Sequence, residues 1–137
     1  MELDSEPRIA LQQITLARDE AAGCWKTGWR VENFSSDALT ITAVHLPHGQ
    51  FKSAVQHFTP ALEVAAGASE RFQSLVQCQA PAGLVTENAF VILHCQWRGT
   101  AWRVFVRIRV EVDAASEPHA MPELITTQKV GFSGISN

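Results

Sequence analysis

The chain has 137 residues, of which 46% are hydrophobic and 18% are charged, a composition that permits one buried core and excludes an intrinsically disordered protein. Its formal net charge of −3 is too small to indicate a strongly charged partner, and no apolar run is long enough to span a bilayer. The acidic beginning, Met1 to Pro7, lacks the apolar stretch of a secretory signal. We therefore predict a soluble cytoplasmic protein.

Strand patterns dominate the first two thirds of the chain. They are short runs rich in Thr, Ile and Val, and turn residues such as Pro47 and Gly49 separate them. The predicted strands cover residues 8–18, 28–34, 39–46, 62–64 and 70–78. Residues 51–58 are ambiguous, and Pro60 ends this segment. No window shows a sustained helical period, so an all-β domain is predicted.

The most regular pattern is a predicted β-hairpin between Ala89 and Val112. Two apolar runs flank Arg98 and Gly99, and a loop of even length places alternate residues of both strands on one apolar face. A loop of odd length would bury arginines among aliphatic side chains, which is costly. The predicted inner face comprises Ala89, Val91, Leu93, Cys95, Trp97, Trp102, Val104, Val106, Ile108 and Val110. The opposite face is predicted to carry Phe90, Ile92, His94, Gln96, Arg103, Phe105, Arg107, Arg109 and Glu111.

About seven short strands at regular spacing predict a two-sheet antiparallel sandwich. We interpret residues 1–137 as a single domain with its core at 8–112. Residues 113–122 have the composition of a linker. Residues 123–130 again have strand character, and we expect them to add an edge strand to their own sheet or to that of a second subunit.

Two segments resemble the immunoglobulin-like or fibronectin-type sandwiches of bacterial proteins. The first is Val-Glu-Asn-Phe-Ser-Ser at 31–36, followed by Leu-Thr-Ile at 39–41. The second is Ala-Gly-Ala-Ser-Glu-Arg-Phe at 66–72. The resemblance is at superfamily level and implies architecture alone, since such sandwiches serve many functions. The chain has no Tyr, so the tyrosine corner of true immunoglobulin domains is missing.

Catalytic and metal-binding motifs are not evident. His45, His48 and His57 lack the paired short spacing of a zinc site, and neither a nucleophile elbow nor a phosphate loop occurs. His94 and Cys95 are neighbours on a strand and therefore point to opposite faces. We predict no enzyme, no cofactor and no metal. The odd number of cysteines favours reduced thiols, with a Cys24–Cys95 bridge as the alternative.

The hairpin face that carries arginines is the predicted interaction surface. Its residues are Phe90, Ile92, His94, Arg103, Phe105, Arg107 and Arg109. Aromatic residues and arginine are enriched at protein interfaces, so we expect a protein partner or a homodimer rather than nucleic acid or a membrane. The alternative for this face is that the acidic C-terminal segment or another strand covers it.

The tryptophans offer a second hypothesis. Trp97 and Trp102 flank the hairpin turn, where exposed indole rings would stack on a carbohydrate or another small ligand. Their alternative role is to fill the core. The sequence thus predicts a non-enzymatic interaction module first, a small carbohydrate- or ligand-binding module second, and a hydrolase or metal enzyme last.

Overall fold

The computed structural model describes residues 5–47 and 49–130, and every regular element within them is a β-strand. In chain order these are β1 (Ile9–Arg18), β2 (Cys24–Asn33), β3 (Leu39–Leu46), β4 (Ser53–Val64), β5 (Ser69–Gln77), β6 (Val85–Trp97), β7 (Thr100–Val112) and β8 (Pro118–Lys129). They form a three-stranded sheet in the order β1-β2-β5 and a five-stranded sheet in the order β4-β3-β6-β7-β8. All pairings are antiparallel. The predicted all-β, two-sheet sandwich is confirmed, with eight strands instead of about seven.

The hairpin formed by β6 and β7 has the predicted geometry. Trp97 pairs with Thr100, and the two residues between them, Arg98 and Gly99, have φ angles of 52° and 72°. Two successive residues with positive φ are typical of a type I′ turn, whose twist matches that of the flanking strands. All ten residues of the predicted inner face are buried, so the arginine row is left on the other side.

The core lies between the two sheets and is centred on Trp29. Its indole ring stacks on Phe72 at 6.5 Å between centroids and meets Phe51 edge to face at 6.4 Å. The indole N–H donates a hydrogen bond to Ser74 Oγ at 2.8 Å, and that hydroxyl is also 2.7 Å from Thr27 Oγ1. The polar atoms that this core buries around Trp29 are therefore hydrogen-bonded.

Strand boundaries differ from prediction at β2, which begins at Cys24 instead of residue 28, and where prolines occur. β4 runs through Pro60 and absorbs the predicted short strand at 62–64, while β8 begins at Pro118 and contains Pro122. The linker predicted at 113–122 is therefore wrong for residues 118–122, which belong to β8. Both strands are sheet edges, where the missing proline N–H does not interrupt a ladder on two sides. The strand predicted at 123–130 lies in its own sheet, paired with β7.

Asn33, at the end of β2, joins two loops. Its side chain is fully buried, and Nδ2 donates to the carbonyl oxygens of Asp37 at 2.9 Å and Val64 at 3.0 Å. Its Oδ1 accepts a hydrogen bond from the Ser35 N–H at 2.9 Å. One amide thus holds the β2–β3 turn against the end of β4 and fixes how the two sheets meet at this end of the sandwich.

Candidate interaction surface

The outer face is the side of the five-stranded sheet that is turned away from β1, β2 and β5. The structure brings the seven predicted interaction residues together there, on the paired strands β6 and β7. Six of them form cross-strand pairs: Phe90 with Arg107, Ile92 with Phe105, and His94 with Arg103. All seven side chains are half-buried or exposed, and no described strand covers them.

Strand β8 extends the outer face with two apolar residues that the sequence interpretation missed. Leu124 pairs with Arg107 and is 50% exposed, and Met121 pairs with Arg109 and is 39% exposed. The alternation of β8 is broken by a register shift between these two pairs, at Arg107/Ile108, so a strict period of two does not reveal them. The apolar part of the face thus continues to the edge of the sheet.

Two of the three outer-face arginines already have carboxylate partners. Arg107 Nε lies 3.7 Å from Glu123 Oε1, across the β7–β8 pairing. Arg109 lies between Glu87 and Glu111, at N–O distances of 3.5 Å and 3.2 Å. Arg103, which is exposed, forms no ion pair with any described residue. The unneutralised charge of the β7 arginine row is therefore concentrated at Arg103.

A pair of histidines lies beside Arg103. The rings of His45 on β3 and His94 on β6 stack at 5.5 Å between centroids, and His45 Nδ1 is 3.4 Å from His94 Nε2. Partial burial lowers the pKa of both imidazoles, and the nearby Arg103 guanidinium lowers each pKa further. The pair is thus biased towards the neutral state, which leaves Arg103 as the fixed positive charge of this region.

This arrangement can accept a carboxylate. The Arg103 guanidinium offers several N–H donors in one plane, a geometry that matches the two oxygens of an acidic side chain. A carboxylate bound there would offset the repulsion that Arg103 exerts on His45 and His94 and would make their protonation easier. His94 and Cys95 do not form a nucleophile–base pair, because Cys95 lies on the buried face and burial raises the pKa of its thiol to about 12.

The tryptophans do not present open ring faces. Trp97 and Trp102 are 2% and 8% exposed and pack edge to face at 6.2 Å. The Arg98 guanidinium lies 4.2 Å from the ring centroid of Trp97, and the Lys129 ammonium lies 5.6 Å from that of Trp102. The burial of these two rings therefore does not support ligand stacking and supports a role as core residues.

The described residues that could hold a metal ion form one group, in the turn between β7 and β8. Ligand atoms of Asp113, Glu117 and His119 lie within 4.8 Å of one another. Asp113 Oδ1 accepts hydrogen bonds from the N–H groups of Ala115 and Glu117 at 2.9 Å each, and Oδ2 lies 2.8 Å from His119 Nε2. These hydrogen bonds close a tight turn, and this structural role explains why the three side chains lie together. His48, one of the sequence candidates, lies outside the described residues.

The cysteines are free thiols. Cys24 is half-buried on β2 in the three-stranded sheet, and Cys95 is buried on β6 in the five-stranded sheet. The alternative of a Cys24–Cys95 bridge is therefore wrong for this structure.

Comparison with known proteins identifies no relative of this chain. No family model matches the chain, and no curated protein matches its sequence. The described part of the chain contains no helix that is long and apolar enough to cross a membrane. The immunoglobulin-like resemblance and the cytoplasmic location stay predictions, and the structure itself shows a two-sheet β-sandwich fold.

Proposed function

We propose that this protein is a non-enzymatic interaction module that binds an acidic protein partner through its outer face. The observation that carries the proposal is Arg103, a guanidinium without a carboxylate partner among the described residues, set beside half-buried aromatic and aliphatic side chains. Its neighbours Arg107 and Arg109 are neutralised within the chain. A partner that supplies a carboxylate would complete the same pattern at Arg103.

The apolar groups of the outer face support a protein rather than a small ion as the partner. Phe105 and Ile92 lie side by side next to Arg103, and Leu124 and Met121 continue the surface on β8. Aromatic and arginine side chains are enriched among the residues that contribute most to protein–protein affinity. A partner with an acidic residue surrounded by apolar side chains would match both properties of the face.

Self-association is the second candidate for this face. Glu87, Glu111 and Glu123 lie around the arginines, so a second copy could present a carboxylate to Arg103 across a two-fold axis. Of the two places predicted for the strand at 123–130, its own sheet or that of a second subunit, the structure shows the first, paired with β7. Deleting residues 114–137 would remove β8, and point variants are therefore the appropriate test of oligomeric state.

The tryptophans do not support the carbohydrate-binding alternative. All four tryptophans are buried, at 0–8% exposure, and the indole N–H groups of Trp25 and Trp29 are bonded within the domain. A sugar-stacking platform requires an open aromatic face.

Site-specific photo-crosslinking tests the proposal. A benzophenone-bearing phenylalanine analogue replaces Phe105 on the outer face or, as the control, Phe34, which is 52% exposed after β2. We expect a protein adduct at position 105 and not at 34, and we expect Arg103→Glu to abolish it. Arg30→Glu, the same charge reversal on the other sheet, should leave it unchanged. An adduct of twice the chain mass would identify self-association, and an adduct that persists with Arg103→Glu would contradict the proposal.

A further inference from the structure

A second surface lies at the side of the sandwich, where the edge strand β4 of one sheet faces the edge strand β5 of the other. At one end Lys52 and Gln77 exchange two main-chain hydrogen bonds, with N–O distances of 3.0 Å and 2.7 Å. Beyond this bridge no β4–β5 ladder continues among the described residues, and a cleft of about 830 Å³ opens between the two strands. Such a volume is in the range of ligand-binding clefts.

The β5 side of the cleft offers main-chain groups to a partner. Alternate residues of an antiparallel strand direct their N–H and C=O groups to opposite sides. Gln77 bonds away from β2, to Lys52, and the same side of the strand therefore carries the main-chain groups of Leu75 and Gln73. Edge groups of this kind are the recognition element for an added strand.

One main-chain carbonyl in the cleft already accepts a hydrogen bond from a side-chain amide, which takes the place of a peptide N–H. The side-chain amide of Gln56, on β4, reaches across and donates from Nε2 to the Gln73 carbonyl oxygen at 2.9 Å. An extended chain lying along β5 would place a main-chain N–H donor at this carbonyl and would displace the Gln56 amide. The free edge of β5 therefore presents the kind of main-chain acceptor that a neighbouring strand would use.

The side chains around the cleft indicate what sequence would fit. Val55 and Leu75 line opposite strands and are 47% and 51% exposed. Lys26 lies across from Leu75 and is 4.0 Å from Asp19, whereas Lys52 forms no ion pair with a described residue. Apolar side chains suit Val55 and Leu75, and an acidic side chain suits Lys52.

We propose that this cleft binds an extended peptide segment of a partner protein, with alternating apolar and acidic residues, as an added strand on β5. The proposal is independent of the outer face, because the two surfaces share no residue. It gives the module a second contact, one in which the main chain of the ligand supplies much of the recognition.

Amide NMR of the full chain tests this inference with acetyl-Ser-Val-Glu-Val-Glu-Val-Ser-amide as the probe. The matched control is the same peptide with every backbone nitrogen methylated, which keeps the side chains and removes the N–H donors. We expect the unmodified peptide to shift the amide signals of Gln73 and Leu75 and to slow their hydrogen exchange, and we expect the methylated peptide to do neither. Equal effects of both peptides, or shifts confined to the outer face, would overturn the proposal.

Substitution of Gln56 gives a second, opposite-signed readout. Gln56→Ala frees the Gln73 carbonyl and should tighten peptide binding roughly two- to tenfold, the equivalent of one hydrogen bond. Gln12→Ala, at an exposed glutamine of β1, should leave the affinity unchanged. Leu75→Glu should weaken binding, and Arg103→Glu should not. An unchanged or weaker affinity in Gln56→Ala would refute the added strand without bearing on the outer-face proposal.

Discussion

Replacement of Asn33 by alanine should destabilise the fold strongly although the side chain is small. Its buried amide forms three hydrogen bonds of 2.9 Å to 3.0 Å. Nδ2 donates to the carbonyl oxygens of Asp37 and Val64, and Oδ1 accepts from the Ser35 N–H. At ~0.5–1.5 kcal/mol net for each bond, the loss is about 2–4 kcal/mol. Since small domains are stable by roughly 5–15 kcal/mol, this is a large fraction of the total.

Urea unfolding followed by tryptophan fluorescence measures the loss, because all four indoles are buried in the folded state. With a denaturant dependence of about 1–3 kcal/mol per molar, the midpoint of Asn33→Ala should fall by roughly 1–2 M. Gln12→Ala removes an exposed side chain bonded to Arg30 and should change stability by less than ~0.5 kcal/mol. A midpoint for Asn33→Ala within the range of that control would show that the amide does not join the loops as described.

Three further predictions concern acid sensitivity, thiols and a close contact. Lowering the pH from about 7.5 to about 5.5 should reduce the free energy of unfolding, because folding lowers the pKa values of His45 and His94, so that the unfolded chain takes up protons more readily. In urea titrations, a variant that carries both His45→Gln and His94→Gln should lose less stability over this pH range. A thiol-specific dye should modify only Cys24 in the folded protein and all three cysteines in urea, and a second fast-reacting thiol would contradict the burial. Gly28→Ala should lower the melting temperature, since the added Cβ would overlap with Thr15 Oγ1, and adding Thr15→Ala should restore most of the loss.

The parts of the fold that sequence predicted correctly are those with local alternation. The faces of β6 and β7 follow from a period of two on either side of a short turn, and β3 lies at its predicted residues 39–46. The passage of β4 through Pro60 and the start of β8 at Pro118 were not predicted, because proline normally interrupts a strand ladder. Proline excludes central strands, and whether a strand is central depends on pairings between distant segments that a sequence pattern does not contain.

The candidate surface was predictable to the same extent. Alternation alone placed Arg103 and Phe105 on one face, and no described strand covers that face. The neighbours that define its charge were not predictable, because His45 reaches His94 through the β3–β6 pairing and Glu123 reaches Arg107 through the β7–β8 pairing. Which arginine remains unneutralised is thus a property of strand order.

The contacts between β1 and β8 have a consequence for how the domain is made. The Gln13 side chain accepts a hydrogen bond from the Ala120 N–H at 2.7 Å, and Arg18 Nη2 donates to the Ala115 carbonyl at 3.1 Å, across about a hundred residues of chain. A nascent polypeptide cannot close the sandwich until its eighth strand has left the ribosome. Long-range closure of this kind is slow, and until it occurs the edge of β7 that pairs with β8 is open to other chains. Early chaperone engagement, and aggregation of fragments truncated before residue 118, are the expected results.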